Sequence, residues 1–208
     1  MVAFDVDGTL IDGVLWSRLH QVFGISKEQD LEWLHLWEEG KLSYTEWSDL
    51  TDSVYRTSGK TKKDAEGVFS SFVFDIDAEK VVAELRSRYT LVIISSGAIE
   101  YISLVAKALA IEDFYAHACF KWLPDGRFDK TEFLSASTQK EAKVDALKDL
   151  CKRFNVQPNE IAFVGDSSND LEAFKYTGRG ILVRGGDESL RQNAWKQIPK
   201  LGDLLTIL

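Results

Sequence analysis

The chain has 208 residues, 45% of them apolar and 12% aromatic, which is material for one large domain, or one domain with an insertion, and argues against disorder. Its formal net charge of −8 leaves no basic excess to neutralise phosphates, which argues against a sequence-independent nucleic-acid binder. No apolar run reaches the roughly 20 residues of a membrane span and no signal-like segment opens the sequence, so the expectation is a soluble cytoplasmic protein, monomer or homodimer, with no nucleic-acid or membrane partner.

In chain order, VAFDV (2–6) reads as a short buried strand that runs into two acids, Asp5 and Asp7. Residues i and i+2 share one face of a strand, so both carboxylates are aimed the same way. Like charges that close repel and drive their pKa values apart unless a cation compensates. From about Gly13 to Asp75 the periodicity is helical throughout. A stripe at Trp16, Leu19, His20 and Phe23 is followed by EQDLEWLHLWEEG, SYTEWSDLTDSVYR and TKKDAEGVFSSF, with Gly24, Gly40 and Gly59 as punctuation. Residues 13–75 therefore read as an all-helical insertion. It holds four of the six tryptophans (Trp16, Trp33, Trp37, Trp47), read chiefly as packing, and His20 reads as a core histidine.

Beyond the insertion, helical stripes and apolar runs alternate. A stripe at Val81, Val82 and Leu85 precedes LVIISSG (91–97), and one at Ile99, Ile102, Ala106 and Leu109 follows it. CFKWLPDGRFDKTEF (119–133) reads as a β-hairpin about its Pro-Asp-Gly turn. A stripe at Val144, Leu147, Cys151 and Phe154 then leads to EIAFVGD (160–166) and RGILVRGG (179–186). This alternation predicts an α/β fold with a Rossmann-like parallel sheet core, built from residues 1–12 and 76–208. Cys119 and Cys151 form no C-x-x-C and read as thiols of a reducing compartment.

Three of the predicted strands end in polar residues: Asp5 and Asp7, Ser95 and Ser96, and Asp166. That carboxyl edge is where open parallel sheets bind ligands. Asp166 opens GDSSND, which sets Asp170 four residues on, so Asp5, Asp7, Asp166 and Asp170 can meet at one rim. Such a cluster needs a cation, and hard carboxylate oxygens with no neighbouring Cys or His suit Mg²⁺ better than zinc.

DVDGTL resembles the first motif, D-x-D-G-T-L, of the haloacid dehalogenase superfamily. The strand ending at Ser95 resembles its second motif, and Lys143 ahead of EIAFVGDSSND resembles its third and fourth. The helical insertion directly after the first motif resembles the cap of the phosphoserine-phosphatase-like branch. The resemblance implies Mg²⁺-dependent hydrolysis of small phosphomonoesters. Asp5 is then the nucleophile that forms an aspartyl-phosphate, and Asp7 the general acid and base. Gly8, Thr9, Ser95, Ser96, Lys143 and Asn169 are implied on the phosphate side, with Lys143 preferred to Lys140 and Ser95 to Ser96. Asp5, Asp7 and Asp166 are implied around the metal, with Asp170 orienting them. A phosphomutase of the same superfamily and a non-catalytic phosphate-binding module are the alternatives. Relatives that act on phosphoserine use a cap glutamate and a cap arginine. Here IDGVLWSRLH supplies no glutamate, and YTEWSDLTDSVYR supplies only Asp49 and Arg56 at uncertain alignment.

Overall fold

In the computed structural model, which describes residues 1–135 and 138–208, the apolar runs become strands and the striped segments helices. The strands are β1 (Val2–Phe4), β2 (Leu91–Ile94), β3 (Asp113–Tyr115), β4 (Ala118–Trp122), β5 (Phe128–Phe133), β6 (Ala162–Gly165), β7 (Gly180–Val183) and β8 (Lys196–Ile198). A six-stranded parallel sheet has the order β3-β2-β1-β6-β7-β8, and β4 pairs with β5 as a separate antiparallel hairpin. The expected α/β sheet, helical insertion and hairpin are all present.

Every residue of β1, β2, β6 and β7 is buried, as strands covered on both faces require. The period of two then sorts side chains between two cores. Val2 and Phe4 of β1 and Leu91 and Ile93 of β2 face one, while Ala3, Val92 and Ile94 face the other. The first core is covered by α5 (Ala78–Leu85), α6 (Ile99–Ala108) and α10 (Leu204–Ile207). The second is covered by α7 (Gln139–Phe154), α8 (Leu171–Thr177) and α9 (Glu188–Asn193).

The segment between β1 and β2 holds α1 (Leu15–Val22), α2 (Lys27–Glu38), α3 (Tyr44–Thr57) and α4 (Lys62–Phe69) ahead of α5. Ser26 caps α2, and Ser43 with Glu46 forms a capping box on α3. Gly24, Gly40 and Gly59 all take positive φ, which turns the chain between these helices. Leu15, Leu19, Phe23, Tyr55 and Phe69 from the insertion join the first core, so its packing is continuous with the sheet. Two strands of connecting chain lie side by side where the insertion leaves and rejoins the sheet. Asp12 N–H donates to Val73 O at 2.8 Å and Asp75 N–H to Leu10 O at 2.9 Å.

Both edge strands, β3 and β8, were not anticipated. They are three residues long, carry exposed or half-buried polar side chains, and are defined by pairing with β2 and β7 rather than by an apolar run of their own. Among the described residues no helix is long and apolar enough to cross a membrane.

Candidate active site

The strand order reverses between β1 and β6. The chain steps outward in one direction through β2 and β3, and in the other through β7 and β8. At such a switch point the loops leave on opposite sides and open a crevice at the carboxyl ends of the strands. Asp5 and Asp7 leave β1 there, Asp166 leaves β6, and Ser95 and Ser96 leave β2.

Asp5, Asp166 and Asp170 each bring a carboxylate oxygen to within 4.8 Å of the others. Lys143 reaches them from α7. Its ammonium donates to Asp170 Oδ1 at 2.5 Å and Asn169 Oδ1 at 2.8 Å, lies 3.1 Å from Asp5 Oδ2, and is 1% exposed. Burial alone would lower the Lys143 pKa. Asp170 and Asp5 overcome that and raise it, so the lysine is held as a cation. Lys140 lies elsewhere, with its ammonium over the Trp37 ring. Asp170 is fully buried, and its other oxygen accepts the backbone N–H groups of Asp166 (3.1 Å) and Ser167 (3.2 Å). With both oxygens engaged, Asp170 braces the loop after β6.

Asp7 stands outside this trio. Its Oδ1 accepts the Leu15 N–H at 3.1 Å, and its Oδ2 accepts the Tyr101 hydroxyl at 2.8 Å. Tyr101 is 1% exposed on the first turn of α6, and no sequence pattern singled it out. Burial pushes the Asp7 carboxyl up to about 6, against the pull of these two donors. Burial and Asp170 push Asp166 up to about 7, against Lys143 and Thr9. Asp5 is raised well above the usual carboxylate value by burial, which the Lys143 charge opposes and the neighbouring acids reinforce. Raised values across one rim are the mark of carboxylates short of positive charge.

Gly8 is forced by this crowding. It sits at φ +72°, and a Cβ there would lie 2.2 Å from Asp166 Oδ2. Thr9 Oγ1 donates to Asp166 Oδ1 at 3.3 Å, which ties the first loop to the fourth motif's acid. Ser95 Oγ accepts the Gly97 N–H at 3.2 Å, whereas Ser96 Oγ is buried with no partner. Asp5 Oδ1 is likewise buried and unpartnered. An orphaned carboxylate oxygen beside two other acids fits a cation made for oxygen ligands, and the donor set contains no nitrogen or sulfur.

The rim opens into a cavity of about 280 Å³, sized for a small molecule. Asp5, Asp7, Ser95, Ser96, Asp166 and Asn169 line it from the sheet side. Trp16, His20, Asp30, Tyr44, Trp47 and Thr51 line it from the inserted helices, with Thr131 and Phe133 from β5. His20 is thus more than a packing residue: it is buried, and its Nδ1 lies 2.9 Å from Asp30 Oδ1. No periodicity could have found that pair, because Asp30 lies on a different helix. Arg56 does not line the cavity. It donates to Asp129 O at 2.9 Å on the hairpin, and Asp49 is absent from the lining as well.

A family model described as haloacid dehalogenase-like hydrolase matches residues 1–178. A phosphoglycolate phosphatase of Archaeoglobus fulgidus is 40% identical over 53 residues, which is 26% of this chain and 24% of that protein. A phosphoserine phosphatase of Halobacterium salinarum is 25% identical over 186 residues, 88% of this chain and 85% of that protein. The chain spans 24% and 31% of the lengths of the first two curated relatives that it matches. The solved structure of a substrate-bound phosphoserine phosphatase complex shares the fold, with a TM-score of 0.85 at 21% identity, over 100% of this chain and 97% of that one.

Proposed function

The chain belongs to the haloacid dehalogenase-like hydrolases, and on that premise we propose that it is a Mg²⁺-dependent phosphatase of small phosphomonoesters. One observation carries the reading. Asp5 presents a buried carboxylate with one oxygen beside Lys143 and the other unpartnered, at the floor of the cavity and two residues from a second acid.

In this reading an Asp5 oxygen attacks phosphorus, and the bond from phosphorus to the alcohol oxygen breaks. The phosphoryl group passes to Asp5 as an aspartyl-phosphate. Asp7 gives its proton to the departing alkoxide, then takes one from the water that attacks the aspartyl-phosphate and frees inorganic phosphate. Its raised pKa, about 6, suits a group that must do both near neutrality. Lys143 offsets charge on Asp5 and the transferring group. Ser95, Ser96 and Asn169 donate to phosphoryl oxygens, while Gly8 and Thr9 shape the loop beside them, their own N–H groups donating to Gly13 O and Val6 O. Asp5 and Asp166 would hold the magnesium, with Asp170 bracing them; the ion would supply positive charge to the site and keep Asp5 ionised. Residues 13–75 act as a cap that excludes water, on a core of residues 1–12 and 76–208. The paired connections at Asp12–Val73 and Leu10–Asp75 support that division.

Turnover of p-nitrophenyl phosphate tests the reading. EDTA is expected to abolish it and Mg²⁺ to restore it, while Asp5→Asn lowers kcat by at least about a thousandfold. Near-normal activity in Asp5→Asn would remove the nucleophile from the scheme.

A further inference from the structure

Away from the acidic rim, the cavity wall has a distinct chemistry. Trp16, Tyr44 and Trp47 line it from α1 and α3, and Phe133 from β5. Trp16 and Trp47 are only partly buried, and Trp47 is fixed by the Trp37 ring, 5.8 Å away between centroids. The Asp30 carboxylate lines the same cavity, with the Ser17 hydroxyl and His20 Nδ1 each at 2.9 Å. Burial would push the Asp30 carboxyl up, but its bonds to His20 and Ser17 hold it below the usual value, so the group is an anion at neutral pH. Each of its oxygens has taken one donor and can take a second.

Among the described residues of the same wall, the one group able to carry positive charge is His20, and it is already engaged with Asp30. None of the described residues that line the cavity is Lys or Arg. Lys143 is sealed behind Asp5 and Asp170, Arg18 donates to Ser71 O, and Arg56 is held on the hairpin. Trp16 Nε1 is buried without a partner, but it offers a neutral donor.

We infer that the leaving group accepted here is cationic: the phosphate ester of an alkylammonium alcohol, its charged end among Trp16, Tyr44 and Trp47 and beside Asp30. The inference rests on the phosphatase reading and names its substrate class. An ammonium entering this cavity exchanges water for the negative faces of the rings and for an ionised carboxylate. An ester that carries a carboxylate would bury that charge beside Asp30 with no lysine or arginine to meet it and with His20 already committed to Asp30, which selects against it. Phosphoserine has an ammonium that Asp30 can take, yet its carboxylate finds no arginine.

The test compares kcat/KM, in Mg²⁺, for choline phosphate, its uncharged isostere 3,3-dimethylbutyl phosphate, and phosphoserine. Choline phosphate is expected to exceed the isostere by roughly tenfold and to exceed phosphoserine as well. Asp30→Asn is expected to bring the ratio of choline phosphate to isostere down towards one. Trp47→Leu lowers the same ratio by removing a ring face, and serves should the first variant fold poorly. A ratio of one or less in the unaltered protein, or phosphoserine as the best of the three, overturns the inference. Failure of the phosphatase reading looks different, because p-nitrophenyl phosphate would then not be turned over at all. In that event calorimetric binding of choline phosphate and of the isostere to the full-length Asp5→Asn protein reads the same preference without chemistry.

Discussion

Tyr101 places a hydroxyl on Asp7 from a helix that no motif reaches, and this makes the acid proposed to transfer the proton a two-point fixture. The phenol stays protonated, because burial and the Asp7 charge raise its pKa well above the usual value. It therefore donates around neutral pH, and it aims the second Asp7 oxygen. Tyr101→Phe deletes that donor while keeping the ring that packs against Phe69. The expected outcome depends on the leaving group. Alkyl phosphates need a proton as the bond to phosphorus breaks, so their kcat falls about tenfold or more, within the range of general acid catalysis. Nitrophenolate leaves without a proton, so p-nitrophenyl phosphate loses much less. An equal loss with both substrates would mean that Tyr101 only packs. Asp5, Asp7 and Asp166 stand out in the sequence at the ends of apolar runs, whereas Lys143 comes into view only through the resemblance to the third motif. Tyr101 and the Asp30 partner of His20 do not stand out, because their meaning lies in contacts across 94 and 10 residues of chain.

At the scale of elements, the hairpin is fastened to the insertion through one buried acid. Asp52 on α3 is 6% exposed, and its two oxygens accept the Thr131 hydroxyl at 2.8 Å and the Thr131 N–H at 2.9 Å. Around that point Tyr55 from α3 and Phe23 after α1 pack on Phe128 of β5, so the hairpin and the helices share one aromatic cluster. Asp52→Ala leaves both Thr131 donors without their acceptor in a closed environment, at a cost of about 1–3 kcal/mol. Thr131→Val spares the backbone bond and is expected to cost less. Thermal unfolding should show the difference, at about 2–4 °C per kcal/mol for a domain of this size; equal melting temperatures for the two variants and the unaltered protein would dissolve the link. The hairpin itself was readable from Pro124-Asp125-Gly126, where Gly126 takes φ +85°. Its attachment was not, since an aspartate on a polar-looking helix face gives no sign of a strand 79 residues away. The short edge strands were hidden for a related reason: three residues such as KQI have no pattern apart from the neighbour they pair with.

For the molecule as a whole, the acids gathered at the switch point set a term in stability as well as in chemistry. Asp166 and Asp5 have folded-state pKa values raised above those of the unfolded chain, Asp166 to about 7. Below the ordinary carboxylate range both states hold these protons and the cluster costs nothing. As pH rises through that range the unfolded chain releases its protons while the folded one keeps them. The folded state then binds more protons, and stability must fall with rising pH. For Asp166 the fall is complete once pH has passed about 7, where the folded carboxyl ionises as well. A divalent cation bound to the ionised carboxylates acts in the opposite sense, stabilising the folded state by mass action only where those groups are free of protons. Metal-free protein is therefore expected to lose melting temperature between about pH 4 and 7 through this cluster, and added Mg²⁺ to raise the melting temperature more at pH 8 than at pH 5. Asp166→Asn should flatten both dependences, because the amide carries no proton to lose and is a weaker ligand. A Mg²⁺-induced shift of the same size at both pH values, or one unchanged in Asp166→Asn, would place the ion somewhere other than between β1 and β6.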